Sequence, residues 1–337
     1  MSLKLCLFCL IACALWLSAF AQDPESTSPP PPASALEANT GRLNEFVLDG
    51  TESCVEIRKG NIAIRPALGA ITNAANYSNK IAPGGIAVLW GTRFVDPDES
   101  YVARLPLARA LGRVQVLWRA ADWVNNISGS KEPCGWRAAP VFYVGPNQIN
   151  FQVPMFFYKP FSEEEGDGYS RFSNFEGREY DFIVLAVLRD GVTKVSSNTL
   201  RLKINSHAPE FFPNAFLSYP EWKEPTSISP GQTCVAFLSG LGKISDHEPE
   251  GYPPPAIPWT TAFPTFVEYR LNGARLSRTN YLFAGRAPGF VGVDQLNFVV
   301  PTLPLSSGES VLIHLCTGTD NGDRCSERGI LVPYRAP

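Results

Sequence analysis

GPNQINFQVP, residues 145–154, returns with changes as GVDQLNFVVP at residues 292–301. Glycine, glutamine, asparagine, phenylalanine, valine and proline fall in matching places, 147 residues apart. The same offset carries Ile81, Pro83, Gly84 and Val88 onto Ile228, Pro230, Gly231 and Val235. Two blocks in one register signify an internal duplication. A looser third anchor sets Ala139-Pro140-Val141-Phe142 against Ala287-Pro288-Gly289-Phe290, with one residue lost before the shared glycine. Inside the motif Ile149, Phe151 and Val153 alternate with Gln148, Asn150 and Gln152, and Pro154 ends the pairing. That is the period of a strand with one face buried.

Outward from the motif, turns and short apolar runs alternate. Ile81-Ala82-Pro83-Gly84-Gly85 is turn chemistry, and Ile86 to Trp90 is a continuous apolar run of the kind a strand buried on both faces needs. Phe182 to Leu188 and Thr199 to Ile204 read as a hairpin around Arg189-Asp190-Gly191. In the second copy Cys234 to Leu238 repeats the early strand, and Phe266 to Leu271 leads into an Asn272-Gly273 hairpin turn. Val311 to Cys316 and Gly329 to Tyr334 form a final pair. Thirty prolines and 27 glycines against two methionines favour short strands and turns over helices, so the fold is an all-β pair of tandem sandwiches. The first repeat is set at 67–207 and the second at 208–337.

Residues 1–21 read as an export signal, with Lys4, the apolar run Leu5 to Leu17 and the Ala19-Phe20-Ala21 cleavage site. A lipoprotein signal ending before Cys13 ranks second, because apolar residues continue past that cysteine. The run is too short for a comfortable membrane span, and no later segment resembles one. Residues 22–41, with four consecutive prolines, form an extended spacer. Residues 42–66 carry Phe46-Val47-Leu48, Val55-Glu56-Ile57 and Ile62-Ala63-Ile64, an added strand pair ahead of the first repeat. The expected location is secreted, periplasmic or at the cell surface.

Of eight cysteines, Cys6, Cys9 and Cys13 leave with the signal. Cys316 and Cys325 flank the polar turn TGTDNGDR and face each other across a hairpin, within bridging range. Cys54 with Cys134 is the second expected pair, leaving Cys234 as a buried thiol. The spacing lacks the paired pattern of a zinc site, and there are only three histidines. A net charge of −3 with scattered lysine and arginine argues against a nucleic-acid partner.

The stretches Asn73-Ala74-Ala75-Asn76-Tyr77, APGGIAVLWG (82–91), Leu105-Pro106-Leu107 with Leu111-Gly112, APVFYVGPNQINFQVP (139–154) and LFAGRAPGFVGVDQLNFVVP (282–301) carry a resemblance. Together they are similar to an uncharacterised C-terminal domain family abundant in exported proteins of Solibacter and related Acidobacteria. The match spans residues 67 to 337. It implies an extracytoplasmic module of immunoglobulin-like or TIG-like sandwich type, with no cofactor or catalytic residues to carry over. The cysteine hairpin and the insertion at Met155 to Tyr180 depart from the family's pattern.

Four places are candidates for function. Gln148 and Asn150, with their copies Gln295 and Asn297, offer amides that bind sugars or peptides, but duplication favours structural hydrogen bonds to neighbouring backbone. Glu163, Glu164, Glu165 and Asp167 offer oxygens for calcium without the order of a calcium loop, so a solvated loop is the plainer reading. Asp96-Pro97-Asp98-Glu99 is a weaker acidic group of the same kind. The insertion's Phe156, Phe157, Tyr158, Phe161, Tyr169, Phe172 and Phe175 form a stacking platform for a glycan or an envelope protein if exposed, and otherwise fold the loop down. His207, His247 and His314 lack a serine elbow or a cysteine partner, so no triad is supported. The expected function is therefore a non-enzymatic binding or structural module with no cofactor or metal. The alternative is a secreted polysaccharide-active hydrolase or its carbohydrate-binding accessory, which as a hydrolase needs two acids about 5–10 Å apart in a cleft.

Overall fold

The computed structural model describes residues 65–121, 136–155, 179–187, 194–242, 244, 250–254, 260–261, 265–318 and 324–337. The expected signal, spacer and most of the added strand pair lie outside these residues. Among the described residues there is no α-helix.

The first ten strands make two sheets. β1 (Ala67–Asn73), β2 (Ile86–Thr92), β7 (Gln148–Gln152), β6 (Val141–Val144) and β3 (Tyr101–Val102) lie side by side in that order. Opposite them β10 (Leu200–Lys203), β8 (Glu179–Val187), β4 (Val114–Ala120) and β5 (Arg137–Ala138) form the second sheet, with β9 (Lys194–Ser196) also on β8. The next nine strands repeat the plan. β11 (Glu210–Tyr219), β12 (Thr233–Ser239), β16 (Asp294–Val299) and β15 (Phe283–Arg286) match β1, β2, β7 and β6 in order. β14 (Ala274–Thr279), β13 (Thr265–Leu271), β17 (Ser310–Thr317) and β18 (Arg324–Cys325) form the facing sheet, and β19 (Ile330–Pro333) pairs with β17. Two sheets with strands crossing between them in this order are an immunoglobulin-like sandwich, so the chain holds two of them in tandem.

The duplicated sequence blocks are neighbours in space. In the first copy Gly84 N donates to Val153 O at 2.9 Å, and in the second Gly231 N donates to Val300 O at 2.9 Å. Ala87 pairs with Phe151 and Cys234 with Phe298, so the register between the blocks is the same in both copies. Both glycines have positive φ, 75° and 79°, which a residue with a Cβ resists. The repeated Pro-Gly and QxNF stretches are thus the two halves of one strand pairing.

Each sandwich encloses its own core. Ala87, Leu89, Ile149, Phe151 and Val153 meet Val116, Trp118, Phe182 and Val184 in the first. Cys234, Ala236, Leu296, Phe298 and Val300 meet Val267, Tyr269, Ile313 and Leu315 in the second. A third cluster lies between the sandwiches, where Ile86 and Val88 of β2 meet Val235 and Phe237 of β12, with Phe212, Leu217 and Val293. Trp90, Phe142, Trp222 and Phe290 pack against its margin. The run Ile86 to Trp90 is apolar at every position because alternate residues face alternate cores.

Two sequence expectations need adjustment. The motif strand is half-buried only in the second copy, where Gln295 and Asn297 are intermediate. In the first copy β7 is buried at all five positions. The second sandwich accounts for part of this, since Gly251 N donates to Gln152 Oε1 at 2.7 Å. The hairpin expected from Thr199 to Ile204 is divided: β9 takes one end of β8 and β10 the other, with Ser197 to Thr199 between them.

Candidate functional site: amide pairs beside the interdomain seam

Polar bonds reinforce the apolar seam. Ile86 N donates to Ser239 Oγ at 2.9 Å, Leu107 N to Gly251 O at 2.8 Å, and Asn73 Nδ2 to Ala208 O at 3.3 Å. Glu250 receives Arg109 at 2.9 Å and Met155 N at 2.8 Å. Arg286, buried with Asp294 as an ion pair, also donates to Gly242 O at 2.8 Å. Its guanidinium lies so close to Gly84 that a Cβ there would stand 2.1 Å from Nη2.

Strand alternation sends Gln148 and Asn150 to the face opposite the first core. Gln148 Nε2 donates to Asn150 Oδ1 at 2.7 Å, and in the second copy Gln295 Nε2 donates to Asn297 Oδ1 at 2.9 Å. The amides therefore bond to each other, where backbone partners were expected. Gln148 is 8% exposed and Asn150 5%. An amide carries two donor hydrogens and an acceptor oxygen, so one shared bond leaves most of each pair's capacity unused. Beside Gln148, its cross-strand neighbour Trp90 donates its indole N–H to Thr72 Oγ1 at 3.0 Å. Tyr77, 40% exposed, stands with its ring 6.0 Å from that of Trp90. The corresponding neighbour of Gln295 is Phe237, which is buried in the seam. Sequence reading reached the amides through the repeat but missed Tyr77 and Trp90. The tryptophan closing an otherwise aliphatic run was the available signal.

The buried carboxylates are held structurally. Asp181 meets Arg201 at 2.8 Å and Arg119 at 3.5 Å. Glu268 accepts Arg270 Nε at 2.6 Å and Arg278 at 3.3 Å. Burial raises the Glu268 carboxyl, but these two arginines outweigh it and hold the group below its usual range. Glu210 accepts the backbone N–H groups of Glu327 and Arg328 at 2.5 and 3.2 Å. Glu99, from the weaker acidic group, meets Arg113 at 3.0 Å.

Cys316 and Cys325 form a disulfide between register partners on β17 and β18, and Cys234 is a free, buried thiol. A Glu268 oxygen and the two sulfurs lie within 4.8 Å of one another. With both sulfurs in a disulfide the group offers a metal one carboxylate and no thiolate. His314 bonds Ser326 O through Nδ1 at 2.9 Å, and burial pushes its pKa down. His207 is buried beside Ser206 Oγ at 2.9 Å. Cys54, Cys134, His247, the acidic group Glu163 to Asp167, and the aromatics Phe156, Phe157, Tyr158, Phe161, Tyr169, Phe172 and Phe175 lie outside the described residues.

No protein-family model matches this chain. No curated protein matches it either. Among solved structures it is similar to the FN1–FN3 domains of chicken CNTN1, at 10% identity and a TM-score of 0.20, covering 80% of this chain and 67% of that one. It is also similar to dimeric latent PorU from Porphyromonas gingivalis, at 11% identity and TM-score 0.24, covering 81% of this chain and 24% of that one. A third similarity is to the fibronectin(III)-like modules of Clostridium thermocellum CbhA, at 9% identity and TM-score 0.18, covering 79% and 94%. Likeness at this level carries no functional argument. The fold assignment stands on strand order.

Proposed function

We propose that this chain is a non-catalytic module that works outside the cytoplasm, binding a ligand or holding other parts at a fixed separation. The observation that carries the reading is the seam. An apolar cluster shared by Ile86, Val88, Val235 and Phe237, with buried polar bonds around it, holds two complete sandwiches as one body. A stiff body that presents fixed surfaces suits recognition and spacing. The pairing of Asp181, Glu268, Asp294 and Glu250 with arginines, and of Glu210 with backbone, supports it further, since these acids are committed to holding strands and loops together. The disulfide is compatible with an oxidising, extracytoplasmic location, in line with the export signal expected at residues 1–21. The test is a hydrolysis screen of the purified protein on polysaccharide and peptide substrates. No turnover is the expected result. Turnover that survives repurification and is abolished by Glu210→Gln would overturn the reading.

A further inference from the structure

We propose that the face formed by Tyr77, Trp90, Gln148 and Asn150 is a binding site for a neutral saccharide. This rests on the non-catalytic reading and gives it a ligand class.

The amide pair has hydrogen-bonding capacity to spare. Buried polar side chains are bonded as a rule. Gln148 and Asn150 are each more than nine-tenths buried, yet they share a single hydrogen bond. Gln148 Oε1 and Asn150 Nδ2, an acceptor and a donor, remain for a ligand. A sugar hydroxyl donates and accepts at once, so neighbouring hydroxyls of one ring satisfy both atoms.

The indole N–H of Trp90 is engaged by Thr72 and the ring is half-buried at the margin of the seam, so its uncovered ring surface, and not its N–H, is what it offers a ligand. Tyr77 stands beside it with 40% of its surface open. A pyranose has an apolar C–H face opposite to or beside its hydroxyls and matches an aromatic surface next to amides.

Sheet order excludes a peptide strand as the ligand. Peptides that join a sheet do so along an open strand edge. β7 has β2 on one side and β6 on the other, so its backbone is occupied and only side chains address a ligand. Tyr77, Trp90, Gln148 and Asn150 also carry no charge, which favours a neutral ligand over a uronate or sulfate ester.

The second copy is an internal control. It keeps the amide pair, Gln295 with Asn297, but the aromatic neighbour Phe237 is buried in the seam. Among the described residues this leaves one such site, in the first sandwich.

Affinity electrophoresis of the full chain through gels containing barley β-glucan, xyloglucan, galactomannan or starch, with polygalacturonate as the charged counterpart, tests this. Retardation by at least one neutral polymer is expected. Gln148→Ala/Asn150→Ala and Tyr77→Asn should each weaken it at least tenfold, and Trp90→Phe should weaken it less than Trp90→Ala. Asparagine is chosen at Tyr77 because it tolerates the left-handed backbone there, φ 61°. Gln295→Ala/Asn297→Ala should bind as the parent does. Thermal unfolding of each variant separates loss of the site from loss of the fold. No retardation by any neutral polymer overturns the proposal, as does retardation only by polygalacturonate. Equal binding by the folded Gln148→Ala/Asn150→Ala variant overturns it too. Cleavage of a retarding polymer would overturn the non-catalytic reading while leaving the site in place, so the two failures are distinguishable.

Discussion

Gly84 and Gly231 occupy equivalent turns with nearly equal φ, yet their surroundings differ. A Cβ at Gly231 meets nothing within 4 Å, whereas one at Gly84 collides with the Arg286 guanidinium. Gly231→Ala should cost only the left-handed strain, about 1–2 kcal/mol. Gly84→Ala adds displacement of a buried cation from Asp294, and breaking such a pair costs about 3–5 kcal/mol. Denaturant unfolding should therefore find Gly84→Ala the more damaging by at least about 2 kcal/mol. Equal losses would mean that the guanidinium moves aside freely. Glu210 gives a second residue-scale expectation. Burial pushes its carboxyl from 4.5 up to about 7, against the pull of the Glu327 and Arg328 amides and of Lys80, with Glu327's charge adding to the rise. A raised folded-state pKa means that the native chain keeps a proton the unfolded chain has released. Stability from this group is thus full below about pH 4.5 and is lost as pH rises through about 7. The Tm of the parent relative to Glu210→Gln should fall between about pH 5 and pH 8, and a pH-independent difference would show that Glu210 does not titrate there.

At the scale of strands and hairpins, the disulfide closes a nine-residue separation between β17 and β18. A loop of that size predicts a loss of about 2–3 kcal/mol for Cys316→Ala/Cys325→Ala in denaturant titration. Cys234 makes the complementary case. Burial pushes its thiol up to about 12, so a thiol reagent should label it only after unfolding. Much at this scale was legible in sequence. The Asn272-Gly273 turn joins β13 to β14 with both residues at positive φ, and the nine-residue cysteine spacing already suited a hairpin. What was not legible depends on distant partners. Nothing local to Gln152 tells of Gly251 arriving on its amide, so full burial of β7 could not be read from alternation. The same limit hid the Tyr77 and Trp90 rings beside the amides, because residues on β1's exit turn, β2 and β7 come together only through sheet order.

On the scale of the whole chain, the seam decides cooperativity. Each sandwich has its own core, and the shared cluster couples them. We expect the parent to unfold in one calorimetric transition and Phe237→Ala, which empties the middle of the seam at about 3–5 kcal/mol, to resolve two. Two transitions in the parent would show that the sandwiches melt independently.

The composition of that seam reaches further. Val88 and Val235 are equivalent positions in the two copies, as are Trp90 and Phe237, and Phe142 and Phe290, and all six pack in or against the same cluster. Duplication within one chain has brought equivalent faces of the two copies to one seam, although the contacts around it are not repeated: Gly84 lies against Arg286, while nothing stands within 4 Å of a Cβ at Gly231. A seam formed within one chain frees each half to diverge without losing its partner. Trp90 and Phe237 show that freedom in use: the indole stays half-buried at the margin of the seam, whereas the phenyl lies inside it.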